Sequence, residues 1–155
     1  MIQTQTYSQR DKRWSRVRLG FSTRHTLGSD GCIVTSIANM LSALGYKDTP
    51  DIVNEKLKKV GAFAGALLIW SRVPKAYPKL RFIKLTNYYN NAEVAYNVYI
   101  KRMPVIVKVD GRKIGAPLGH WVLYVGSQKM VDPWFGTVRP TNSYPALKYA
   151  LYARA

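Results

Sequence analysis

The spacing of apolar residues predicts helices in the first half of the chain. Over residues 32–44 apolar side chains recur at intervals of three and four, and Gly45 stands where a helix would end. The same periodicity predicts a second helix over residues 49–60. A third helix is predicted over residues 65–77, where it must stop because Pro78 cannot continue it. The predicted buried face of the second helix consists of Ile52, Val53 and Leu57.

In the second half the apolar positions alternate or form short β-branched runs, which is typical of strands. Asp110-Gly111 and Gly126-Ser127 are predicted turns, and the second would join two strands as a hairpin. One short helix is predicted among the strands, over residues 92–101. The predicted strands cover residues 81–85, 104–109, 120–125 and 129–131.

The segment before the first helix, Met1–Arg24, is predicted to be irregular or extended, with Tyr7 and Trp14 as anchors. It leads into a turn-rich stretch, Gly28–Gly31, directly before that helix. Helices followed by a mainly antiparallel sheet predict an α+β fold. A chain of 155 residues has the length of one domain, so residues 1–155 are predicted to form a single domain.

The composition excludes several classes of protein. Hydrophobic residues make up 47% of the chain and aromatic residues 12%, which excludes a disordered, collagen-like or coiled-coil protein. The single cysteine, Cys32, excludes an intramolecular disulfide framework and a multi-cysteine zinc site. No apolar run reaches the ~18 residues of a membrane span, and the N-terminal residues lack a signal-peptide pattern. We therefore expect a soluble protein made in the cytoplasm, which would act at a cell wall only after release or delivery.

The chain is strongly basic. Its 24 Lys and Arg residues against 8 Asp and Glu residues give a formal net charge of +16. A field of this size attracts nucleic acid, anionic lipid and anionic cell-wall polymer, and such binding weakens as salt rises. The alternative interpretation is a solvated surface that favours solubility. The basic residues are densest in an N-terminal basic cluster, which consists of Arg10, Lys12, Arg13, Arg16 and Arg18.

Cys32 is the first candidate for chemistry. It follows the Gly28–Gly31 turn and begins the first predicted helix, so its sulfur would lie near unpaired backbone N–H groups at the positive end of the helix dipole. That setting favours the thiolate, and a protonated histidine beside it can lower a cysteine pKa to about 3.5–7.5. The alternative is a buried cysteine that packs as a small hydrophobic residue.

Three further residues would complete a catalytic site. His120 opens a predicted strand and is a candidate general base, whereas His25, in the irregular N-terminal stretch, is the weaker candidate. Asp132 follows the neighbouring predicted strand, so a hairpin would bring it to the imidazole, which it would orient. The alternative for Asp132 is an ordinary turn aspartate. Gln9 is a candidate oxyanion donor beside the Cys32 backbone N–H, although a loop glutamine commonly has no special role.

Four short motifs stand in order along the chain. They are Tyr7-Ser8-Gln9-Arg10-Asp11 with Trp14, Gly28-Ser29-Asp30-Gly31-Cys32 leading into Thr35-Ser36, Gly119-His120-Trp121-Val122, and Val131-Asp132-Pro133-Trp134. Together they resemble the papain-like cysteine peptidases of the double-glycine leader peptidase type, in particular their free-standing relatives. The resemblance covers residues 7 to about 136.

The resemblance implies a papain-like α+β fold, with the nucleophile on the first core helix and the base and its orienting acid on the sheet. It implies that Cys32 is the nucleophile and His120 the base. It also implies that Asp132 is the orienting acid and Gln9 the oxyanion-hole side chain, with no metal or organic cofactor. One departure is that Ile33-Val34 follows the nucleophile, where the family commonly has Gly-Pro.

We therefore expect a thiol-dependent hydrolase that cleaves an amide bond in a peptide or in a peptidoglycan stem peptide. Cell-wall amidases and endopeptidases of papain-like fold have Cys and Gly-His motifs that look similar to Cys32 and Gly119-His120. A basic domain of this size without a signal peptide also resembles phage-type lytic enzymes, in which positive charge holds the protein on anionic wall polymers. The alternative is a non-catalytic module on the same scaffold that binds a polyanion through the N-terminal basic cluster and Trp14. Its binding would be indifferent to nucleic-acid sequence, because no groove-reading motif is present.

Overall fold

The computed structural model describes residues 1–155, and helices cover a central antiparallel sheet. The predicted α+β class is confirmed. In chain order the elements are α1 (Leu27–Asp30), α2 (Cys32–Ser42), α3 (Pro50–Lys59), β1 (Phe63–Ala64), β2 (Leu67–Leu68), α4 (Val73–Ala76), β3 (Leu80–Leu85), α5 (Asn91–Ala95), β4 (Val105–Val109), β5 (His120–Gly126), β6 (Lys129–Asp132), β7 (Thr137–Pro140) and β8 (Ala146–Arg154). Short 3-10 turns lie at Trp70–Arg72, Arg112–Ile114 and Thr141–Ser143, and a π-helical turn lies at Tyr96–Ile100.

Six strands form the sheet in the order β3-β8-β4-β5-β6-β7, and every neighbouring pair is antiparallel. Ser127 and Gln128 join β5 to β6, and each has a φ of 55°, as a type I′ hairpin turn requires. The predicted Gly126-Ser127 turn is one residue early, because Gly126 still pairs with Lys129. The hairpin brings the first residue of β5, His120, close to the last residue of β6, Asp132.

Both faces of the sheet are buried, and β5 shows how the sequence achieves this. Trp121, Leu123 and Val125 pack in the hydrophobic cluster that contains α2 and α3. Val122 and Tyr124, on the alternate positions, pack in a second cluster with residues of α5 and the π-helical turn. The predicted alternation in this strand is confirmed, and its second set of side chains is buried as well.

The first two predicted helices are confirmed as α2 and α3. On α3 the side chains of Val53 and Leu57 are fully buried, but Ile52 is 43% exposed, so the predicted face is wrong at that position. Asn54 is buried on α3. Its amide is satisfied there because it bonds two backbone groups of the N-terminal segment, each at 2.9 Å.

Two local predictions are wrong. Residues 65–77 are not one helix, because Gly65, with a φ of 61°, turns the chain between β1 and β2. Only α4, which has Pro74 in its first turn, is α-helical in this segment. The Gly28–Gly31 stretch is mostly helical, because Thr26 and Ser29 form a reciprocal cap that stabilises α1.

The four predicted strands are present as β3 to β6, and the predicted helix over residues 92–101 is present as α5 with the π-helical turn. β7 and β8 were not predicted. β8 lies in the interior of the sheet, where it pairs with both β3 and β4.

The N-terminal segment is irregular, as predicted, and its two anchors pack together. Trp14 is 2% exposed, and its indole N–H donates to the backbone oxygen of Ser8 at 2.7 Å. Tyr7 meets the Trp14 ring edge-on, with 5.7 Å between ring centroids. Among the helices, none has both the length and the apolar character that crossing a membrane would require.

Candidate active site

Cys32 is the first residue of α2, and Gly31 places it there. The Gly31 N–H closes α1 on the Leu27 oxygen at 2.9 Å, and the Gly31 oxygen accepts from Thr35 in the first turn of α2, also at 2.9 Å. A Cβ on Gly31 would lie 2.4 Å from the Leu27 oxygen, so this junction between the two helices needs glycine. The predicted position of Cys32 at a helix N-terminus is confirmed.

The Cys32 sulfur lies against the beginning of β5. The backbone N–H groups of Trp121, Ile33 and Cys32 itself act on the sulfur in the direction that lowers its pKa. Burial nevertheless raises the pKa of the Cys32 thiol to about 11, and the Asp30 carboxylate adds to the rise. The N–H groups at the helix N-terminus thus favour the thiolate, as expected from the sequence, but burial outweighs them and favours the neutral thiol.

His120 and Asp132 meet as predicted at one end of the β5–β6 hairpin. His120 is the first residue of β5 and Asp132 the last of β6, and both side chains are fully buried. The His120 Nε2 lies 2.7 Å from the Asp132 Oδ1. A buried imidazole and carboxylate at this distance form a charge-assisted hydrogen bond that fixes the plane of the ring.

Asp132 is the centre of a hydrogen-bond network. Its Oδ1 also accepts the Trp134 backbone N–H at 2.9 Å, and its Oδ2 accepts the Tyr144 hydroxyl and lies 3.6 Å from the Arg139 Nε. Burial alone would raise the pKa of Asp132, but the bonds from His120, Tyr144 and Trp134 outweigh it and lower the pKa. The carboxylate is therefore ionised at neutral pH and accepts hydrogen bonds only.

This network determines which nitrogen of His120 is available for chemistry. Because ionised Asp132 can only accept, the shared hydrogen lies on Nε2, and in the neutral ring Nδ1 carries the free lone pair. Nδ1 is buried and has no hydrogen-bond partner. The rings of Trp134 and Tyr144 pack edge-on against the imidazole, with centroids at 6.3 and 6.0 Å, and restrict its rotation. A buried nitrogen left without a partner calls for an explanation, and a role in proton transfer is one.

Cys32, His120 and Gln9 line one cavity of about 270 Å³. Gln9 is 1% exposed, and its Nε2 donates one hydrogen to the Gly28 oxygen at 3.1 Å, which leaves the second amide hydrogen uncommitted. The Gln9 backbone N–H donates to the Pro133 oxygen at 2.8 Å, so this glutamine is held by the loop that follows Asp132. The structure thus brings the predicted residues together, with Asp132 behind His120.

The second histidine lies at the rim of the same cavity. The His25 Nδ1 is 2.8 Å from the Asp30 Oδ2, and both side chains are nearly half exposed. Asp30 is the only carboxylate that lines the cavity. His25 is thus paired with an exposed carboxylate, whereas His120 contacts a fully buried one.

Sequence reasoning missed two residues of the site, Tyr144 and Arg139. Both contact the Oδ2 of Asp132. Neither belongs to a local motif, and they reach Asp132 because β7 and the turn after it fold back along β6. A tyrosine 12 positions beyond an aspartate gives no signal in a single sequence.

The N-terminal basic cluster is exposed in all five members, as predicted, but Trp14 is buried beneath it and offers no exposed aromatic face. Arg10 does contact an aromatic ring: its guanidinium lies 4.4 Å from the centroid of Trp134, and its Nε donates to the Trp134 oxygen at 2.9 Å. The basic cluster therefore begins beside the loop that follows Asp132.

No group of three or more His, Cys, Asp and Glu side chains lies close enough together to hold a metal ion. The site consists of a thiol, an imidazole, a carboxylate and a side-chain amide. No protein-family model, curated protein or solved structure matches this chain.

Proposed function

We propose that this protein is a thiol-dependent hydrolase of papain-like fold that cleaves an amide bond, with Cys32 as nucleophile, His120 as general base and Asp132 as the residue that orients His120. One observation carries the proposal. The buried His120 uses Nε2 for Asp132 and leaves Nδ1 without a partner, and the same ring lines the cavity that Cys32 lines. A nucleophile, a base and an orienting acid in this relation are the parts of a hydrolytic triad.

In the proposed reaction the Cys32 sulfur attacks the carbonyl carbon of the amide while its proton passes to the Nδ1 of His120. Because burial raises the pKa of the Cys32 thiol to about 11, the sulfur still carries its proton when the substrate binds. The proton is therefore transferred during the attack and not before it. The imidazolium gives the proton to the departing amine, and the C–N bond breaks to leave a thioester. Nδ1 then takes a proton from a water molecule, which attacks the thioester carbon. The C–S bond breaks to release the carboxylic acid, and the imidazolium returns the proton to the sulfur.

The negative oxygen that forms during attack needs hydrogen-bond donors near Cys32. The backbone N–H groups of Cys32 and Ile33, at the start of α2, have no carbonyl partner within the helix. The uncommitted amide hydrogen of Gln9, on the wall of the same cavity, is the proposed second donor. Removing one donor of this kind costs about 10²–10³-fold in kcat in other enzymes.

The substrate class follows from the cavity and from the resemblance to double-glycine leader peptidases. Ile33, Leu67 and Trp121 supply an apolar wall, and Leu67 is 75% exposed at the tip of the β1–β2 hairpin. Such a wall suits an uncharged segment of a peptide. We propose a peptide or a peptidoglycan stem peptide as the substrate, and the reaction needs no metal or organic cofactor.

The proposal is tested by incubating the purified protein with a peptide mixture and with isolated peptidoglycan, and identifying new termini by mass spectrometry. Cys32→Ala and His120→Ala should each lower the cleavage rate by at least about 10³-fold. His25→Ala, which alters the other histidine at the cavity, should lower it far less. Cleavage that survives Cys32→Ala, in a protein with no second cysteine, would refute the proposal.

A second candidate function is polyanion binding by the N-terminal basic cluster. The observation that favours it is that all five side chains of the cluster are exposed, in a protein of net charge +16. Only one of the five, Arg13, is in an ion pair. Binding to a phosphate polymer should then fall steeply between about 50 and 200 mM salt. Binding that is the same at both salt concentrations would contradict this candidate.

A further inference from the structure

A second and larger cavity, of about 370 Å³, lies on the other face of the sheet. Its wall includes Val94 and Val98, which belong to the second hydrophobic cluster, whereas Cys32 packs against the first. None of the residues that line the Cys32 cavity lines this one. Its volume lies within the range of about 300–1,000 Å³ that is typical of small-molecule sites.

The lining of this cavity is aromatic and amide-rich. Four tyrosines line it, together with the side-chain amides of three residues and a single charged group, Lys129. In a chain with 24 Lys and Arg residues, a cavity with one cation and no guanidinium is poorly suited to phosphate or another anion. The tyrosines are Tyr89, Tyr99, Tyr124 and Tyr144, and the amides belong to Asn91, Gln128 and Asn142.

Tyr124 gives the cavity an unused polar group. The residue is only 7% exposed, no protein group hydrogen-bonds its hydroxyl, and that oxygen remains accessible from the cavity. Tyr89 packs edge-on against the Tyr124 ring, with 6.4 Å between centroids, and holds it in place. A hydroxyl that lines a cavity and has no protein partner is a group that a ligand can hydrogen-bond in place of water.

We propose that this cavity binds a neutral sugar ring that carries an acetamido group. The face of a sugar ring presents C–H groups that pack on aromatic rings, and Tyr99, which is 48% exposed, offers such a surface at the cavity. Sugar hydroxyls both donate and accept, as do the tyrosine hydroxyl and the side-chain amides of this wall. The acetamido group adds a methyl, for which Val94, Ala95 and Val98 provide an apolar surface. This inference does not depend on the proposed hydrolase activity.

The cavity also reaches the candidate active site through one residue. The Tyr144 ring lines the cavity, and its hydroxyl donates to the Oδ2 of Asp132, the carboxylate that holds His120. A sugar in the cavity would therefore contact the ring that supports the proposed triad. A substrate that contains both a glycan and a peptide could occupy this cavity and the Cys32 cavity at the same time.

The test is an NMR titration of the ¹⁵N-labelled protein with the trisaccharide of N-acetylglucosamine, in 0.3 M NaCl to suppress charge-driven binding. Cellotriose, which has hydroxyls in place of the acetamido groups, is the matched sugar control. We expect saturable shifts at residues lining the cavity and at least about 5-fold weaker binding of cellotriose, because it lacks the acetamido contacts. Absence of saturable shifts, or shifts confined to other surfaces, would overturn the proposal.

Variants identify the site independently of any activity. Tyr124→Phe removes one hydroxyl and keeps the buried ring, so it should weaken binding about 3- to 10-fold. Tyr99→Ala removes an exposed ring and should weaken binding at least as much. The matched control is Tyr88→Phe, an exposed tyrosine outside the cavity, which should leave the affinity unchanged. Equal affinities for Tyr124→Phe, Tyr99→Ala and the unmodified protein would also overturn the proposal.

Discussion

The ionisation of Cys32 gives the sharpest test of the mechanism. With its pKa raised by burial to about 11, the thiol is neutral at pH 7, and about 10⁻⁴ of it is thiolate. An ordinary cysteine of pKa ~8.5 is about 3% thiolate at that pH, so the thiolate is ~300-fold scarcer here. A more basic thiolate is about 10-fold more nucleophilic over this interval. Alkylation at pH 7 should therefore be about 20- to 30-fold slower than that of a free cysteine.

The assay measures the rate at which iodoacetamide carbamidomethylates Cys32 between pH 6 and 11, by intact-mass spectrometry. A short cysteine-containing peptide, labelled under the same conditions, is the reference. Because Cys32 is the only cysteine, every modified molecule reports one sulfur atom. We expect the rate to rise through pH 9 without a plateau. His120→Ala should label at least as fast as the unmodified protein, because loss of the buried ring admits water to the sulfur and lessens the desolvation that raises the pKa.

A preformed thiolate–imidazolium pair would give the opposite result in both measurements. The unmodified protein would label faster than the peptide at pH 6 and reach a plateau below pH 8. His120→Ala would then label more slowly, because it lacks the positive charge that stabilises the thiolate. Either result would refute the conclusion that burial determines the resting state of Cys32.

Three further predictions concern the residues around the site. Gly31→Ala should lower the Tm by about 3–10 °C, because its Cβ would meet backbone at 2.4 Å; an unchanged melting curve would contradict the need for glycine. Asp132, whose pKa is lowered in the folded protein, contributes stability that is fully present above its unfolded pKa of ~3.9 and is lost as pH falls through the lowered folded pKa. Tyr144→Phe removes a bond that lowers this pKa, so the acid-unfolding midpoint followed by circular dichroism should move to higher pH, and a midpoint at the same pH would count against the bond. Asp30→Asn removes a carboxylate that raises the pKa of Cys32, so the alkylation rate at pH 8 should increase, whereas an unchanged rate would exclude this electrostatic contribution.

The candidate site could be predicted from the sequence wherever its residues stand at the ends of strongly patterned elements. Cys32 begins a helix whose apolar periodicity is clear, and His120 begins a strand whose alternation is clear. Asp132 could be placed beside His120 because a short hairpin brings together the start of one strand and the end of the next. These are local signals, and local signals can be read without knowing the fold.

The ionisation of Cys32 and the contacts of Tyr144 could not be predicted in the same way. The helix N-terminus is visible in the sequence, but the burial that outweighs it depends on β5 and the N-terminal segment packing over the sulfur. Tyr144 reaches Asp132 only after β7 has folded back along β6. Both effects come from residues distant in sequence, and one sequence does not reveal which distant residues meet.

The missed strand β8 and the wrongly predicted helix over residues 65–77 have the same cause. Seven of the nine residues of β8 are Ala, Leu, Lys or Arg, which have good helix propensity, so its composition argues against a strand. Pairing with a strand on each side makes it one. Residues 65–77 have apolar residues at helical spacing, but Gly65 begins a turn that β1 and β2 complete. In both places tertiary pairing overrides local propensity.

The place of β8 in the sheet has a consequence for how the protein forms during synthesis. β3 is bonded to the rest of the sheet only through β8, although some 60 residues separate the two strands along the chain. While the ribosome is still making residues 146–154, β3 and β4 each have an unpaired edge, and the two hydrophobic clusters are incomplete. β8 therefore completes the sheet only after every other strand has been made. Until residues 146–154 have been made, β4 lacks one of its two partners, so any activity of Cys32 would have to wait for this strand.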